Sequence, residues 1–302
     1  MSASTFRPAE HVRPAPDRGR SLLAYVLLAY GLSWAWLVPL ALAGAVVVQG
    51  NGWPTHFPAL LGPMVAALLV AWRTGALRSL LASMVRIRVP LRWWAVALSP
   101  LALLGIGLLA ELAVGQELPQ PSAFAEMSGL PSAIGVIGVA LMFLLVNGYG
   151  EETGWRGFAL PLLQRRFSPL TAMLVLAVIW AGWHLPMFFV VDNFRAFSAG
   201  TVVGWLLGLT AGSIVLGWLY NRSGGSVALV AVWHACFNIV SATAAATGLL
   251  AAIVSTVVMT QAIVLVGAEL LARRRGRPSV LGPVGNRAVA TGRLIGGRVV
   301  GP

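Results

Sequence analysis

The chain has 302 residues, of which 58% are hydrophobic and only 10% are charged, and its mean hydropathy is +0.83. A soluble globular domain carries about 25% charged residues, so this composition excludes an ordinary soluble protein and indicates an integral membrane protein. The net charge is +12, and all 21 basic residues are arginines. Because they lie between apolar runs and in both terminal regions, we interpret them as a topology signal and expect no nucleic-acid partner.

Residues 1–20 are rich in proline and arginine, which is typical of a disordered tail. The apolar run that follows is too long for a signal peptide, although the triplet at 41–43 resembles a cleavage site. A spanning helix needs about 20 apolar residues, and this test predicts an all-α polytopic bundle with about eight spans. The predicted spans are residues 21–46, 57–73, 91–113, 133–155, 168–190, 198–220, 226–246 and 249–271.

The distribution of arginines predicts the orientation of these spans. With the N-terminus inside the cell, every arginine except Arg195 falls on the inner side, so we expect both termini to be cytoplasmic. Residues 75–90 alternate arginines with apolar residues, which predicts a short amphipathic helix on the membrane surface. We expect a cell-membrane protein divided into a tail (1–20), N-terminal spans (21–130), a core of spans (131–271) and a basic disordered tail (272–302).

Few strongly polar side chains interrupt the spans, and a charge inside a membrane is costly and usually functional. Two adjacent glutamates and an arginine follow an uncharged run, in the sequence EETGWR at 151–156. The polar residues within the predicted spans are Asn147, Glu151, Glu152, Arg156, His184, His234, Asn238, Gln261 and Glu269. We interpret Trp180 and the other tryptophans of these spans as packing or interfacial residues.

Helical spacing groups these residues. Glu152 with Arg156, and His234 with Asn238, lie at i and i+4 and share a helix face, as do Glu269 and Arg273. Glu151 is rotated by about 100° from its neighbour, so the two adjacent carboxylates should differ in role. If residues 164–169 form a hairpin turn, His184 lies at the depth of Glu151 and can face a glutamate. Each pair alone could instead be an ion pair or a hydrogen bond between helices.

Several hydrolytic and nucleotide-binding motifs are absent from the sequence. It contains no H-E-x-x-H metal motif, no G-x-S-G serine motif and no P-loop or dinucleotide fingerprint. The only aspartates, Asp17 and Asp192, lie outside the spans, which excludes a two-aspartate intramembrane protease. The single cysteine, Cys236, excludes a disulfide framework.

Three motifs in order, each on its own span, resemble the CPBP family of intramembrane proteases. They are EETGWRGF (151–158), WAGWH (180–184) and HACFN (234–238). The family includes CAAX prenyl endopeptidases and Abi-type bacteriocin-processing and immunity proteins. Its members often have phenylalanine at the position of Trp180. The resemblance covers residues 131–245 and implies hydrolysis of a peptide bond inside the membrane.

The resemblance also implies roles for individual residues. Glu151 would be the general base with His184, activating a water, and His234 with Asn238 would stabilise the oxyanion. Arg156 would order Glu152. The family is often classed with metalloproteases, so a divalent metal such as zinc stays an alternative cofactor. Its ligands would be Glu151, His184, His234 and Asn238.

These patterns predict a peptidase whose partners are membrane lipid and a membrane-associated peptide or protein substrate. A non-proteolytic membrane protein, such as a bacteriocin self-immunity factor or scaffold, could use the same polar cluster for helix packing. A proton-coupled transporter is a weaker alternative, because the sequence lacks the internal repeat that many transporters show. The sequence carries no signal for an oligomeric state.

Overall fold

The structure, a computed structural model, describes residues 18–284. Most of the predicted N-terminal tail and residues 285–302 of the predicted C-terminal tail lie outside the described residues. The described chain is an all-α polytopic bundle, as predicted. Its main helices are α1 (Arg18–Leu42), α2 (Phe57–Thr74), α3 (Leu77–Met84), α4 (Leu91–Ala113), α5 (Ser132–Gln164), α6 (Pro169–Trp183), α7 (Ala199–Arg222), α8 (Val227–Ser241) and α9 (Gly248–Arg274).

Within residues 18–284, seven helical segments are long and apolar enough to cross a membrane: α1, α2, α4, α5, α6 with its extension to Val190, α7 and α9. Their bounds agree with seven of the eight predicted spans to within about four residues, except that α5 continues nine residues beyond the predicted end at 155. The other predicted span, residues 226–246, differs, because its helix α8 has only 15 residues. A helix of that length rises about 22 Å, which is less than the roughly 30 Å of a bilayer core.

Helix α8 nevertheless connects the two ends of the bundle. Before it, the Ser226 hydroxyl donates to the backbone carbonyl of Arg86 at 2.6 Å. After it, the backbone N–H of Ala244 donates to the carbonyl of Glu126 at 3.0 Å. Arg86 precedes α4 and Glu126 follows it, so α8 with its flanking turns runs between the same two ends as α4. Most of its side chains are buried, which places α8 in the protein interior.

Helix α5 is irregular where the acidic motif lies. Phe143–Glu151 and Trp155–Ala159 are π-helical, with the α-helical turn Glu152–Gly154 between them. A π-helical turn bonds each N–H to the carbonyl five residues back, is rare, and often occurs at functional sites. The backbone of α5 also approaches that of α8 closely, since a Cβ on Gly148 would lie 2.7 Å from the Ala231 carbonyl oxygen.

Gly148→Ala is therefore expected to destabilise the fold by about 1–3 kcal/mol, because the new methyl group meets backbone atoms that cannot rotate away. Thermal unfolding of the detergent-purified protein would measure the loss. Gly204→Ala is the matched control, since a Cβ there meets no atom within 4 Å and alanine is the better helix former. Equal stability of the two variants would contradict the close approach.

The chain beyond α9 differs from the prediction of a disordered tail starting at residue 272. Helix α9 continues to Arg274, and the Arg273 side chain donates to Glu269 at 2.8 Å, as the i, i+4 spacing predicts. The other Glu269 oxygen accepts from the Ser279 hydroxyl and from the backbone N–H groups of Val280 and Leu281. A buried carboxylate with four donors holds residues 279–281 against the bundle, a long-range contact that composition cannot reveal.

Candidate active site

The three motifs meet in the interior of the bundle. EETGWRGF lies in the irregular part of α5, WAGWH ends α6, and HACFN lies in α8. Glu151, Glu152, Arg156 and His234 are buried, while His184 and Asn238 are partly buried. The structure thus brings charged side chains from separate helices together in an otherwise apolar core.

Glu152 is the centre of an ion-pair network between α5 and α8. Its Oε1 accepts from Arg156 Nη1 at 2.8 Å and from His234 Nδ1 at 2.8 Å. Glu152 and Arg156 have no exposed side-chain surface. A buried carboxylate is stabilised when charged donors bind it, so Glu152 pairs with Arg156 as its spacing predicts. The bond to His234 was not predicted from the sequence, because it depends on how α8 packs against α5.

Glu151 points to a different partner, as the rotation between the two glutamates predicts. Its Oε2 accepts from the indole Nε1 of Trp180 at 2.8 Å. Among the described residues, no donor reaches its Oε1. Glu151 is 2% exposed, so this carboxylate is buried, with one oxygen held by Trp180 and the other open to a further group.

Trp180 contacts four of the candidate residues, which differs from the packing role assigned to it above. Besides donating to Glu151, its ring lies 4.4 Å from the Arg156 guanidinium carbon, a cation–π distance. Its ring centroid is 5.7 Å from that of His234 and 5.8 Å from that of His184. The indole of Trp180 supplies the N–H that makes the bond to Glu151, which a phenylalanine could not supply. The tryptophan was visible in the sequence but was interpreted there as a packing or interfacial residue.

His184 lies just after the last residue of α6, not in the middle of a continuous span. The helix ends at Trp183, and Pro186 follows, which disfavours helix at the residue before it. The His184 Nδ1 lies 2.7 Å from the Trp180 backbone carbonyl. Because a carbonyl only accepts, Nδ1 carries the proton and the neutral ring has its lone pair on Nε2.

The sequence predicted that His184 faces a glutamate directly, but the structure shows no direct hydrogen bond between them. Within residues 18–284, His184 makes no hydrogen bond to Glu151 or Glu152, and Trp180 lies between them. The physical reason is that α6 stops at Trp183, so the ring folds back on the last helical turn. Trp180 therefore links the two residues, because its backbone carbonyl accepts from His184 and its indole N–H donates to Glu151.

Two asparagines complete the polar groups near the motifs. Asn238 lies one turn after His234 on α8, as its spacing predicts, and its side chain makes no hydrogen bond to the described part of the chain. Asn147 lies one turn before Glu151, is 8% exposed, and its Oδ1 has no partner among residues 18–284. Glu152 Oε2 and Arg156 Nη2 are likewise buried without a partner there. Buried polar groups are usually hydrogen-bonded, so these atoms indicate a binding site for a polar ligand.

The residues do not fit the alternative metal site. The resemblance assigns it to Glu151, His184, His234 and Asn238, and each histidine Nδ1 is bonded to a protein acceptor, which leaves Nε2 as the nitrogen that could bind a metal. Residues 18–284 contain no group of three or more His, Cys, Asp and Glu side chains that could hold a metal ion. A catalytic zinc site needs three protein ligands with one open position. As positioned, this donor set does not supply them.

Comparison with known proteins shows a family similarity in the part of the chain that carries the motifs. Residues 133–240 match the family model described as type II CAAX prenyl endopeptidase Rce1-like. The chain is also 38% identical over 55 residues to a protein named CAAX prenyl protease 2 from Methanococcus maripaludis. That alignment covers 18% of this chain and only 20% of the relative. Residues 133–240 include every candidate site residue, so the segment of this multi-pass membrane protein that is similar to the Rce1-like family is the one in which the motif resemblance was found.

Proposed function

We propose that the protein is an intramembrane endopeptidase of the cell membrane that hydrolyses a peptide bond of a membrane-associated substrate. The observation that carries this proposal is the pairing pattern of the two glutamates. Glu152 binds Arg156 and His234, whereas Glu151 binds Trp180 and keeps one oxygen open. One carboxylate is therefore structural and the other is available for proton transfer, a division that hydrolysis by activated water requires.

In the proposed reaction, Glu151 accepts a proton from a water molecule. The remaining hydroxide attacks the scissile carbonyl carbon and forms a tetrahedral oxyanion. Collapse breaks the carbon–nitrogen bond, and Glu151 returns its proton to the leaving amine. The burial of Glu151 supports this role, because it keeps bulk water away from the reacting groups.

His184 orients the attacking water in this proposal. Its proton on Nδ1 is directed to the Trp180 carbonyl, so its Nε2 can accept a hydrogen bond from the water. The aromatic rings around it, those of Trp183 and Trp205 at 4.8 and 5.3 Å between centroids, restrict its rotation. A fixed acceptor for the water lowers the entropy cost of placing it.

His234 and Asn238 stabilise the oxyanion. The Glu152 carboxylate accepts a hydrogen bond from His234 Nδ1–H, and the doubly protonated ring can then donate from Nε2–H. The Asn238 amide adds a second donor from the same helix face. Losing one such donor typically costs about 10²–10³ in rate. Arg156 neutralises Glu152 and keeps the network together.

The substrate class follows from the relative's name and from the site's depth. The name CAAX prenyl protease refers to a prenylated CAAX substrate of that relative, and the site here lies among spanning helices. We propose a lipid-anchored peptide segment as the substrate.

Purified protein in liposomes is expected to cleave a farnesylated peptide ending in a CAAX sequence, as measured by mass spectrometry of the products. The same peptide without the farnesyl group is the control for lipid anchoring. Absence of cleavage for both peptides, and for lipidated peptides of other sequence, would contradict the peptidase function.

Trp180→Phe tests the bond from the indole to Glu151. The phenylalanine ring keeps the contacts with Arg156 and both histidines but loses the N–H donor. A hydrogen bond to a charged group contributes about 1.5–3 kcal/mol, so we expect kcat to fall by about 10–100-fold with KM little changed. Steady-state cleavage of the lipidated peptide would measure both constants.

Trp233→Phe is the matched control for this variant. Trp233 is also buried, on α8, but its Nε1 has no hydrogen-bond partner in the described part of the chain. The same loss of ring area there should leave kcat within a few-fold of the parent. If both variants lose activity equally, the effect comes from ring packing and not from the bond to Glu151.

A further inference from the structure

A pocket of about 470 Å³ lies outside the candidate active site. It is enclosed by α3, by the end of α5 beyond the acidic motif, and by the end of α7. Arg86 and Arg165 line it, together with the hydroxyl-bearing side chains of Ser79, Ser83 and Tyr220. Among the described residues no carboxylate lines the pocket, so the charged groups named above are all positive.

The positive groups of this pocket are available to a ligand. Arg86 and Arg165 are exposed and form no ion pair with an acidic residue between 18 and 284. Tyr220 is only 8% exposed, yet its hydroxyl makes no hydrogen bond to any described residue. The hydroxyl therefore has no protein partner among these residues and, in a residue that lines the pocket, is available to a polar ligand.

The start of α8 adds to the preference for an anion. Gly224 and Gly225, with φ of 74° and 83°, form the turn before α8 and line the pocket. Ser226 caps the helix by accepting from the Leu229 N–H, and its hydroxyl binds the Arg86 carbonyl. The positive end of the α8 dipole is therefore close to the two arginines, and such an end favours negative charge.

The surroundings of the pocket indicate which anion can reach it. Helix α3 and the chain after it expose Leu81, Val85 and Ile87, at 45%, 73% and 57%. Exposed apolar residues alternate there with Arg78 and Arg88, a pattern typical of a helix lying in the membrane interface. At that depth the abundant anion is the phosphate of a lipid headgroup.

We propose that this pocket binds the phosphate group of an anionic membrane lipid. Arg86 and Arg165 pair with the phosphate oxygens, and the Tyr220 hydroxyl donates to it. Arginine forms bidentate bonds with phosphate, so two arginines from different elements give geometric specificity. The bound headgroup joins α3 and α5 to the end of α7 and so stabilises the turn that leads into α8. This site is independent of the peptidase proposal.

The test uses the full chain in a non-ionic detergent, with thermal unfolding followed against added ligand. The probes are dihexanoyl phosphatidylglycerol, dihexanoyl phosphatidylcholine and sodium phosphate. Phosphatidylglycerol is expected to raise the midpoint saturably, phosphatidylcholine is not, and inorganic phosphate should need at least about tenfold higher concentration, because it lacks the acyl chains. The double variant Arg86→Ala/Arg165→Ala should weaken the apparent affinity for phosphatidylglycerol about tenfold or more.

Matched variants distinguish a built site from general surface charge. Arg78→Ala/Arg88→Ala removes the same charge from exposed positions that do not line the pocket, and its affinity should stay within about twofold of the parent. Tyr220→Phe should weaken binding by several-fold while changing no charge. Equal losses in both arginine double variants would overturn the proposal, as would equal binding of the two lipids. Phosphate as potent as the lipid, or displacement of the lipid by an acidic peptide lacking phosphate, would also overturn it.

Discussion

Glu151→Gln is expected to lower peptide cleavage by about 10²–10⁴-fold, the range of a positioned general base. Glutamine has the size and shape of glutamate, and its carbonyl oxygen can still accept from Trp180 Nε1. The amide cannot take a proton from water, so the chemical step loses its base while the helix packing is kept. We therefore expect the loss in kcat, with the unfolding midpoint little changed.

The assay is the cleavage of the lipidated peptide in liposomes, under single-turnover conditions so that product release does not mask the chemical step. Glu111→Gln is the matched control, because Glu111 is also a buried carboxylate and accepts only from the Leu250 N–H, in a different part of the bundle. Its activity should equal that of the parent. Cleavage by Glu151→Gln at the parent rate would remove Glu151 from the mechanism.

Arg156→Ala is expected to destabilise the fold by about 3–5 kcal/mol, the typical loss when one partner of a buried ion pair is removed. The Glu152 carboxylate would keep only His234 as a charged donor, with no surface exposed to water. The Trp180 ring would also lose the cation that lies over it. Activity should fall together with stability, because His234 depends on Glu152 for its orientation. Unfolding in mixed micelles of non-ionic detergent and SDS would measure the change.

The pair of Arg273 and Glu269 is the matched control for this variant. It has the same i, i+4 spacing and the same 2.8 Å distance, but the Arg273 side chain is 42% exposed. Glu269 also keeps three other donors when the arginine is removed. Arg273→Ala should therefore cost at most about 1 kcal/mol. If the two variants lose the same stability, burial does not strengthen the pair on α5, and Arg156 is not the main support of Glu152.

The spanning helices were predictable because their signal is local. A run of about 20 apolar residues must be helical in lipid, where every backbone N–H and carbonyl needs a partner within the segment. Composition alone therefore located α4 at residues 91–113 and α9 within about three residues at either end. The same rule overestimated α8, because residues 242–247 are apolar enough to extend a span but form a turn that bonds to Glu126. The anchoring of residues 279–281 on Glu269 likewise depends on a contact that no local pattern encodes.

The candidate residues were also predictable, since charge is rare in this chain and three motifs share a known order. The sequence by itself determined which side chains could do chemistry, and that Glu151 and Glu152 differ in role, because adjacent helical residues point in different directions. Only the tertiary structure decided their partners. His234 binds Glu152, and Trp180 separates His184 from Glu151, because the π-helical turns of α5 and the early end of α6 change the direction of these side chains. Such effects depend on packing between helices distant in sequence, and spacing within one helix cannot specify them.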